Sequence, residues 1–389
     1  MKNKIIYITP VLVPSASAAS KRILANAKLI QLLEYEVEIY SGIEVGEKQE
    51  IEGVSIVPTG IEIEKNEGIK KLIAYRKSIQ GILLQLENQD ILNLKAIFVY
   101  SGYSFYLAPL IRWCTSKKIP LVFDAVEWYT PAKNTHWLFK PYYWNTEIAM
   151  RYFIPKTKNV IAISTFLERY YQLKKCNTTV IPPLFYNKTN FFEREDRPYI
   201  QLSYTGSPGK KDNLNEIVTA ILEINKQQFS KEVRFEIAGI NEEQLLSYPV
   251  FLEKRIVKLP SNIAAHGYIS IDLAQEITSN SDFSILFRKN DKTNTAGFPT
   301  KVVESLSLGT PIFLNYSSDL HLFLHDGINA IVIDEFSVEN LKSVLIKIIE
   351  MPFSQLQKMR KSALQTADES FSIHSRTKLM DSFLKQLKI

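Results

Sequence analysis

The residues best suited to chemistry lie in one segment, Asn294–Pro311, with the sequence NTAGFPTKVVESLSLGTP. Pro299 predicts a helix start there, because its φ is preset and the N–H it lacks would have no helical partner. The amides of residues 298–301 would then form an anion site at the positive end of the helix dipole. Lys301 adds a positive charge, and Glu304, one turn later, can accept hydrogen bonds from two adjacent hydroxyls. The segment therefore predicts a site for a phosphate beside a diol.

The pattern P-T-K-x-x-E-x-x-x-x-G-x-P, which starts at Pro299, resembles the donor-site helix of GT-B glycosyltransferases of family 4 and its relatives. The resemblance implies that Glu304 holds the ribose of a nucleotide sugar and that the amides before the helix face its diphosphate. It implies a donor-binding role for the residues around the helix start: Asn294, Gly297, Phe298, Pro299, Thr300 and Lys301. An ordinary capped helix of an α/β domain, punctuated by Gly and Pro, is the alternative interpretation.

One position departs from the family pattern. Retaining members carry a further glutamate eight positions before the one that matches Glu304, and this chain has Ala296 there. Asn294 is close in sequence and polar, but it cannot carry a charge. The departure puts a retaining mechanism in doubt and leaves the prediction of donor binding intact.

Two predicted strand ends add cationic candidates to the donor side. In the turn 204–214, Gly206 allows the backbone to approach a ligand closely, and Lys210 and Lys211 place positive charge beside it. The resemblance implies that a basic pair in this loop grips the diphosphate, although here the spacing is compressed and arginine is absent; a solvated lysine loop is the alternative. Arg288 ends a predicted strand, where doubly wound folds bind ligands, and suits bidentate phosphate contact or an ordinary salt bridge.

The first half of the chain offers acceptor-side candidates. Asp124 and Glu127 follow a predicted strand, and both are candidate catalytic carboxylates. Glu127 is the better candidate general base, because the aromatic residues after it could exclude water and raise its pKa. A carboxylate that merely caps a helix is the alternative. Ser15 and Ser17 lie in the loop after the first strand, which the resemblance places beside the acceptor.

Strand and helix patterns alternate along both halves of the chain, which predicts an α/β protein with two parallel, doubly wound sheets. A polar, charged stretch at 186–198 predicts a linker between them. With the family resemblance, we expect the GT-B fold, in which two Rossmann-like domains face each other across a cleft. Residues 1–190 would form the acceptor-side domain and 191–370 the nucleotide-sugar-binding domain, and a helix in 371–389 would cross back to the first.

Composition limits the class of protein. The chain has 389 residues, of which 46% are hydrophobic and 23% charged, as in soluble globular proteins. Its two cysteines, Cys114 and Cys176, show no metal-binding or redox spacing and favour a reducing compartment. The apolar run near the N-terminus is broken at Pro10 and resembles a first buried strand more than a signal peptide. We expect a cytoplasmic protein, either free or attached peripherally to the inner face of the plasma membrane.

Charge is distributed unevenly. Residues 1–190 hold 24 basic and 16 acidic side chains, a net of +8, whereas residues 191–389 hold 23 and 25, a net of −2. The basic first half predicts an anionic membrane surface or a lipid diphosphate as a partner, although a solvated basic face is equally consistent. The stretch 136–156 mixes aromatic residues with lysines, which favours either a membrane interface or core packing. Nothing in the sequence predicts nucleic-acid binding.

These observations predict a glycosyltransferase that moves a sugar from a UDP- or GDP-linked donor to a hydroxyl acceptor, a lipid-linked or surface polysaccharide intermediate. The sequence contains no Asp-x-Asp pair, so we expect neither a metal site nor a cofactor. Two alternatives stay open: a sugar-nucleotide epimerase on the same fold, and a non-catalytic GT-B subunit that chaperones or scaffolds a partner transferase. The sugar, the acceptor and the stereochemistry are left open by the sequence.

Overall fold

The computed structural model describes residues 3–42, 47–60, 68–128, 141–186, 193–206, 208 and 212–389. The chain divides into two compact units. Unit 1 comprises Met1–Tyr186, Thr295–Phe298 and Ser372–Ile389, and unit 2 comprises Asn187–Asn294 and Pro299–Phe371. The predicted domain boundaries, 1–190, 191–370 and 371–389, stay a prediction.

In unit 1, the described strands form a sheet in the order β3-β4-β2-β1-β5-β6-β7-β8. The strands are β1 (Lys4–Ile8), β2 (Glu36–Ser41), β3 (Gln49–Ile51), β4 (Val54–Pro58), β5 (Leu94–Tyr100), β6 (Leu121–Ala125), β7 (Lys158–Ala162) and β8 (Asn177–Val180). All neighbours pair in parallel except β3 and β4, which form an antiparallel hairpin. Parallel strands need crossover connections, which the helices between them supply.

The helices of unit 1 are α1 (Ala18–Gln31), α2 (Gly68–Glu87), α3 (Tyr103–Lys117), α4 (Pro141–Ile148), α5 (Ile154–Thr157) and α6 (Thr165–Leu173). A π-helical turn, Ala149–Phe153, lies between α4 and α5.

In unit 2, the described strands form a wholly parallel sheet in the order β11-β10-β9-β12-β13-β14. The strands are β9 (Tyr199–Thr205), β10 (Glu232–Ala238), β11 (Ile263–Ala265), β12 (Phe283–Leu286), β13 (Ile312–Leu314) and β14 (Ala330–Val332). The helices are α7 (Leu214–Ile224), α8 (Glu242–Leu246), α9 (Pro249–Glu253), α10 (Ile271–Ser279), α12 (Thr300–Ser307), α13 (Val338–Ile349) and α14 (Phe353–Phe371). Helix α11 (Lys292–Ala296) begins in unit 2 and ends in unit 1, and α15 (Thr377–Lys385) lies in unit 1.

The predicted α/β, doubly wound fold is confirmed. Helix α1 ends at Gln31, shortly before Glu34, which adopts a left-handed backbone with φ 66°. Strand β8 ends at Val180 because two prolines soon follow, and proline cannot donate to a sheet ladder. The helix start predicted at Pro299 is confirmed: Pro299 is the N-cap residue of α12, with extended backbone (φ −75°, ψ 110°), and the helix begins at Thr300.

Each unit has its own hydrophobic core. The core of unit 2 is built on β9, β10 and α7, with Leu202, Phe235 and Ile221 fully buried. In unit 1 the C-terminal helix α15 joins the core, because Met380 and Phe383 pack in the same cluster as residues of α1. The predicted return of the C-terminal helix to the first Rossmann-like unit is therefore confirmed. None of the helices in the described ranges is long and apolar enough to span a membrane.

Candidate functional site

The strand order of unit 2 defines a switch point. Strand β9 lies between β10 and β12, so the chain leaves β9 toward one side of the sheet and later returns to build the other side. In doubly wound folds, ligands bind in the crevice outside the carboxyl ends of the strands at such a point. Strand β9 ends at Thr205, directly before Gly206, and β12 ends at Leu286, two residues before Arg288. Two predicted donor-side residues thus follow the two strands at the switch point.

Gly206 and Lys301 lie in contact at this edge of unit 2. Gly206 has φ 123°, a region that favours glycine, and a Cβ added there would stand 2.7 Å from Cε and 3.0 Å from Nζ of Lys301. The Lys301 ammonium lies 3.7 Å from the ring centroid of Tyr204, two residues earlier in β9. The aromatic ring and the glycine together hold the lysine cation over the end of β9.

Arg288 is held by its neighbour across the sheet. Its backbone N–H donates to Oδ1 of Asn315 at 2.9 Å, and Nδ2 of Asn315 donates to the Arg288 carbonyl at 2.8 Å. Burial and the charge of Asp212 raise the pKa of Tyr204, while the charge of Arg288 opposes that rise. The charge of Arg288 therefore acts on Tyr204, whose ring contacts Lys301.

Helix α12 carries the remaining pair of this site. Lys301 and Glu304 are three residues apart, hence on neighbouring positions of one helix face, and both are half-buried. Pro299 offers no side-chain cap, so no carboxylate or hydroxyl of the N-cap residue competes for the positive end of the helix. Gly309, with φ 67°, ends the helix before β13. The arrangement presents a cation and a helix N-terminus beside an acceptor-only carboxylate.

The other predicted donor-side residues precede or begin α12, except for the lysine pair. Asn294 is 4% exposed, and its side chain donates to the carbonyl of Lys289 at 2.9 Å, which commits it to its own loop. Gly297 and Thr300 are half-buried and Phe298 is buried, all directly before or at the start of α12. The predicted lysine pair, Lys210 and Lys211, lies outside the described residues.

Asp124 lies in a buried polar network of unit 1. It is 1% exposed, and the Arg22 guanidinium donates to its Oδ1 through Nη2 at 2.7 Å and through Nε at 3.0 Å. The Tyr7 hydroxyl donates to Oδ2 at 2.5 Å, and Nδ2 of Asn26 donates to the same oxygen at 3.1 Å. Burial and the carboxylate raise the pKa of Tyr7 well above its usual value.

These partners join three elements of unit 1, since Tyr7 lies on β1, Arg22 on α1 and Asp124 on β6. A buried carboxylate in a bidentate guanidinium contact is expensive to leave unpaired, so this network ties the helix to the sheet. The catalytic role predicted for Asp124 stays a prediction, and the network supplies a structural reason for the residue instead.

The remaining acceptor-side candidates lie at the carboxyl edge of the unit 1 sheet. Glu127 is half-buried, two residues after β6. The neighbouring Trp128 is 3% exposed, and its indole N–H donates to Oε1 of Glu147 at 2.6 Å. Ser17 caps α1, accepting from the Ser20 amide at 3.1 Å, and Ser15 lies 2.9 Å from it between hydroxyl oxygens. Both serines thus form local hydrogen bonds at the start of α1, and these explain the residues without an acceptor. Their acceptor-side role stays a prediction.

Sequence reasoning missed three residues that organise these sites. Tyr204 and Asn315 follow the strand pattern as ordinary residues, and only the structure reveals their contacts with Lys301 and Arg288. Arg22 did leave a signal, because Arg22 and Asn26 are polar residues four positions apart on a predicted helix and the residues between them are apolar. Among the described residues, no three His, Cys, Asp or Glu side chains come together in a set that could hold a metal ion.

Comparison with known proteins agrees with this geometry. Residues 187–366, or 180 of the 389 residues, match the family model described as glycosyl transferases group 1. The match covers most of unit 2, including Gly206, Lys301 and Glu304. No protein among the curated sequences matches the chain.

Solved structures match the chain over nearly its whole length. A sucrose-phosphate synthase from Thermosynechococcus elongatus has a TM-score of 0.70 at 11% identity, covering 99% of each chain. WaaG, a glycosyltransferase involved in lipopolysaccharide biosynthesis, has a TM-score of 0.67 at 12% identity, covering 98% of this chain and 100% of WaaG. Anabaena HepE in complex with UDP has a TM-score of 0.64 at 13% identity, with both chains fully covered. The chain therefore has the GT-B fold.

Proposed function

We propose that this protein is a nucleotide-sugar-dependent glycosyltransferase. The proposal rests on the GT-B fold and on the match of residues 187–366 to the family model of glycosyl transferases group 1. The protein moves a sugar from a UDP- or GDP-linked donor to a hydroxyl of a lipid-linked or surface polysaccharide intermediate. The single observation that carries the proposal is the contact of Lys301 with Gly206 and Tyr204, one turn before Glu304 on α12. A fixed cation beside a helix N-terminus suits a diphosphate, and a carboxylate one turn away suits a ribose diol.

The donor is a nucleotide diphosphate sugar held by unit 2. HepE, among the structural relatives, was solved with UDP and with UDP-glucose, and a trehalose-6-phosphate protein from E. coli was solved with UDP-2-fluoro glucose. In this chain the diphosphate lies against Lys301, Arg288 and the first amides of α12. Glu304 accepts hydrogen bonds from the ribose hydroxyls.

The proposed chemistry is stabilisation of the leaving diphosphate. Negative charge accumulates on the phosphate oxygens as the glycosidic bond breaks, and preorganised cations and amides lower the free energy of that state. Lys301 and Arg288 supply the positive charge, so turnover needs no metal ion. Turnover in EDTA tests this part: undiminished activity supports it, and complete loss that manganese restores contradicts it.

A peripheral membrane location is part of the proposal. Three large side chains spaced four residues apart along α4 and the π-helical turn are exposed: Trp144 by 44%, Ile148 by 46% and Tyr152 by 54%. The Lys156 ammonium lies 3.8 Å from the Tyr152 ring centroid. Aromatic rings and lysines of this kind favour the headgroup region of a bilayer. Within residues 141–156, the described part of the stretch 136–156, these exposed side chains favour a membrane interface over core packing.

Sedimentation with anionic vesicles tests the membrane part. The full chain should bind, binding should weaken steeply as salt rises, and Tyr152→Ser should weaken it further. The matched control is Leu173→Ser, which removes an 83% exposed residue elsewhere in unit 1. An equal loss of vesicle binding in both variants would contradict a membrane-binding role for the Trp144, Ile148 and Tyr152 side chains.

A thermal-shift screen of UDP-, GDP-, dTDP- and CMP-sugars tests the function. A ligand that binds the folded state raises the unfolding temperature by mass action. We expect one diphosphate nucleotide to stabilise the protein and CMP-sugars, which carry a single phosphate, to have little effect. No shift with any of the four would contradict the proposal.

Ala296, which stands where retaining relatives have a glutamate, favours one second candidate: a non-catalytic subunit that supports a partner transferase. Product formation separates the two functions. Purified protein that binds the nucleotide sugar and neither hydrolyses nor transfers it, across lipid-linked and glycan acceptors, would favour the second candidate.

A further inference from the structure

A groove runs between two helices of unit 1, apart from the candidate donor and catalytic residues described above. It has a volume of about 530 Å³, within the range of ligand pockets. Helix α2 contributes Arg76, Ile79, Gln80 and Leu83, and α3 contributes Ser104, Phe105, Ala108, Pro109 and Arg112. The α2 residues, and those of α3 from Phe105 onward, follow the spacing i, i+3, i+4, i+7, so one face of each helix forms a wall. Phe153, from the π-helical turn, closes one side.

The two helices run side by side in the same direction. Near their beginnings, the rings of Tyr75 and Phe105 stack with centroids 6.5 Å apart. Near their ends, the Trp113 indole N–H donates to Oε1 of Glu87 at 2.7 Å. Arg76 therefore lies level with Phe105, whereas Arg112 lies seven residues further along α3. Seven helical residues rise by about 10 Å, so the groove is long, with an arginine toward each end.

The lining combines an apolar interior with exposed positive charge. Ile79 is buried, while Leu83, Phe105, Ala108 and Phe153 are half-buried and present apolar surface to the groove. Arg76 and Arg112 are exposed, and neither forms a hydrogen bond or ion pair with another residue in the described ranges. An aliphatic chain would gain from burial in the interior, and an anion at its end would gain from a guanidinium.

The groove begins near the edge where the acceptor-side candidates lie. Helix α2 follows β4 and α3 follows β5, so both start at the carboxyl edge of the parallel sheet. The loops that carry Ser15 and Glu127 leave β1 and β6 at the same edge. The Arg76 end is therefore nearer to those loops, and the Arg112 end lies toward the opposite edge.

We propose that this groove binds an aliphatic phosphate: a long acyl or isoprenoid chain lies between α2 and α3, and its phosphate lies at Arg76. The chain leaves past Arg112, and whatever the phosphate carries extends toward the carboxyl edge of the sheet. This inference rests on the proposed function, for which it names the lipid part of the acceptor. It makes the groove a lipid subsite that is separate from the nucleotide site of unit 2.

Calorimetric titration of the full chain with dodecyl phosphate, below its critical micelle concentration, tests the inference. We expect binding with one-to-one stoichiometry, with inorganic phosphate and the neutral amphiphile dodecyl maltoside at least tenfold weaker. Arg76→Gln should lower the affinity at least fivefold, and Ala108→Phe, which fills the groove, should abolish it. Arg169→Gln removes an exposed arginine on α6, outside the lining, and should leave the affinity unchanged.

Nucleotide affinity, measured on the same variants, separates this inference from the proposed function. Arg76→Gln and Ala108→Phe should bind the nucleotide as the parent protein does, since both lie in unit 1. Dodecyl phosphate that does not bind, or that binds the parent and Arg76→Gln equally, overturns the lipid subsite and leaves the nucleotide site standing. If the parent protein binds dodecyl phosphate but no nucleotide, the proposed function is overturned and the lipid subsite is not.

Discussion

The ammonium of Lys301 lies 3.7 Å from the centroid of the Tyr204 ring, so a buried aromatic side chain of β9 holds the cation that α12 brings to the strand end. A cation over an aromatic face is stabilised by about 0.5–2 kcal/mol, depending on how far water is excluded. Tyr204 therefore positions Lys301 rather than contacting a ligand itself.

Replacing the ring should weaken nucleotide binding through the lysine. We expect Tyr204→Leu to lower the affinity for the nucleotide by roughly three- to tenfold, which corresponds to the loss of that interaction. Tyr204→Phe keeps the ring and should bind as the parent protein does. Calorimetry on both variants checks this, and equal losses in the two would show that the hydroxyl, rather than the ring, matters.

Gly206 should tolerate no side chain. Alanine there would need a rare backbone conformation at φ 123° and would press on the Lys301 side chain, so Gly206→Ala should lower nucleotide affinity by roughly tenfold and cost about 1 kcal/mol of stability. The matched control is Gly267→Ala, also at positive φ, where the nearest atom would be 3.8 Å away. That variant should lose stability and keep its affinity. A normal nucleotide affinity in Gly206→Ala would refute the contact as a functional one.

Asp124 should matter for stability. Removing one partner of a buried ion pair costs about 3–5 kcal/mol, so Asp124→Asn should lower the free energy of unfolding of unit 1 by that amount. Urea unfolding followed by circular dichroism measures it. Asp381→Asn, which breaks the surface pair with Lys385, is the control and should change stability little. If Asp124→Asn is as stable as the parent but loses turnover, the residue is catalytic, as the sequence analysis predicted.

Replacing Glu127 should lower turnover and leave stability unchanged, whereas replacing Asp124 should lower stability. If the enzyme inverts the anomeric centre, Glu127→Gln should reduce turnover by roughly 10²–10⁴-fold, the usual contribution of a general base. Nucleotide affinity and stability should stay normal, because the half-buried residue belongs to unit 1. Kinetics of the variant, beside NMR of the anomeric configuration of the product, make the test. An inverting enzyme whose variant keeps full turnover excludes Glu127 as the base.

Much of the fold could be predicted because strand and helix periodicities are local. The strand KIIYI shows as a short, continuous apolar run, and the helix that carries Ile23 and Ile30 shows its period within a few residues. The alternation of such elements implies parallel sheets. Element ends were harder to predict. Glu34, shortly after the end of α1, adopts a left-handed backbone, which glutamate rarely does and which no pattern around it announces.

The candidate site could be predicted only where the chemistry lies within one segment. Lys301 and Glu304 are three residues apart, so their proximity follows from helix geometry alone. The contact of Lys301 with Tyr204 joins residues 97 positions apart, and that of Arg22 with Asp124 joins residues 102 apart. Such pairs depend on sheet order and helix packing, which a single sequence does not reveal. Asp124 was predicted as a catalytic candidate from its place at a strand end, and its buried contact with Arg22 left no sign in the sequence around it.

In the proposed donor site, Glu304 accepts hydrogen bonds from the ribose of a nucleotide diphosphate bound at α12. Titration calorimetry of Glu304→Gln with the nucleotide that stabilises the parent protein most is the direct test, since the amide keeps the shape and removes the charge. Charge-assisted hydrogen bonds are the strong ones, and we expect binding to weaken by about 1–2 kcal/mol. The control is Glu350→Gln, an exposed residue at the end of α13, which should bind normally. Unchanged nucleotide affinity in Glu304→Gln would contradict the account.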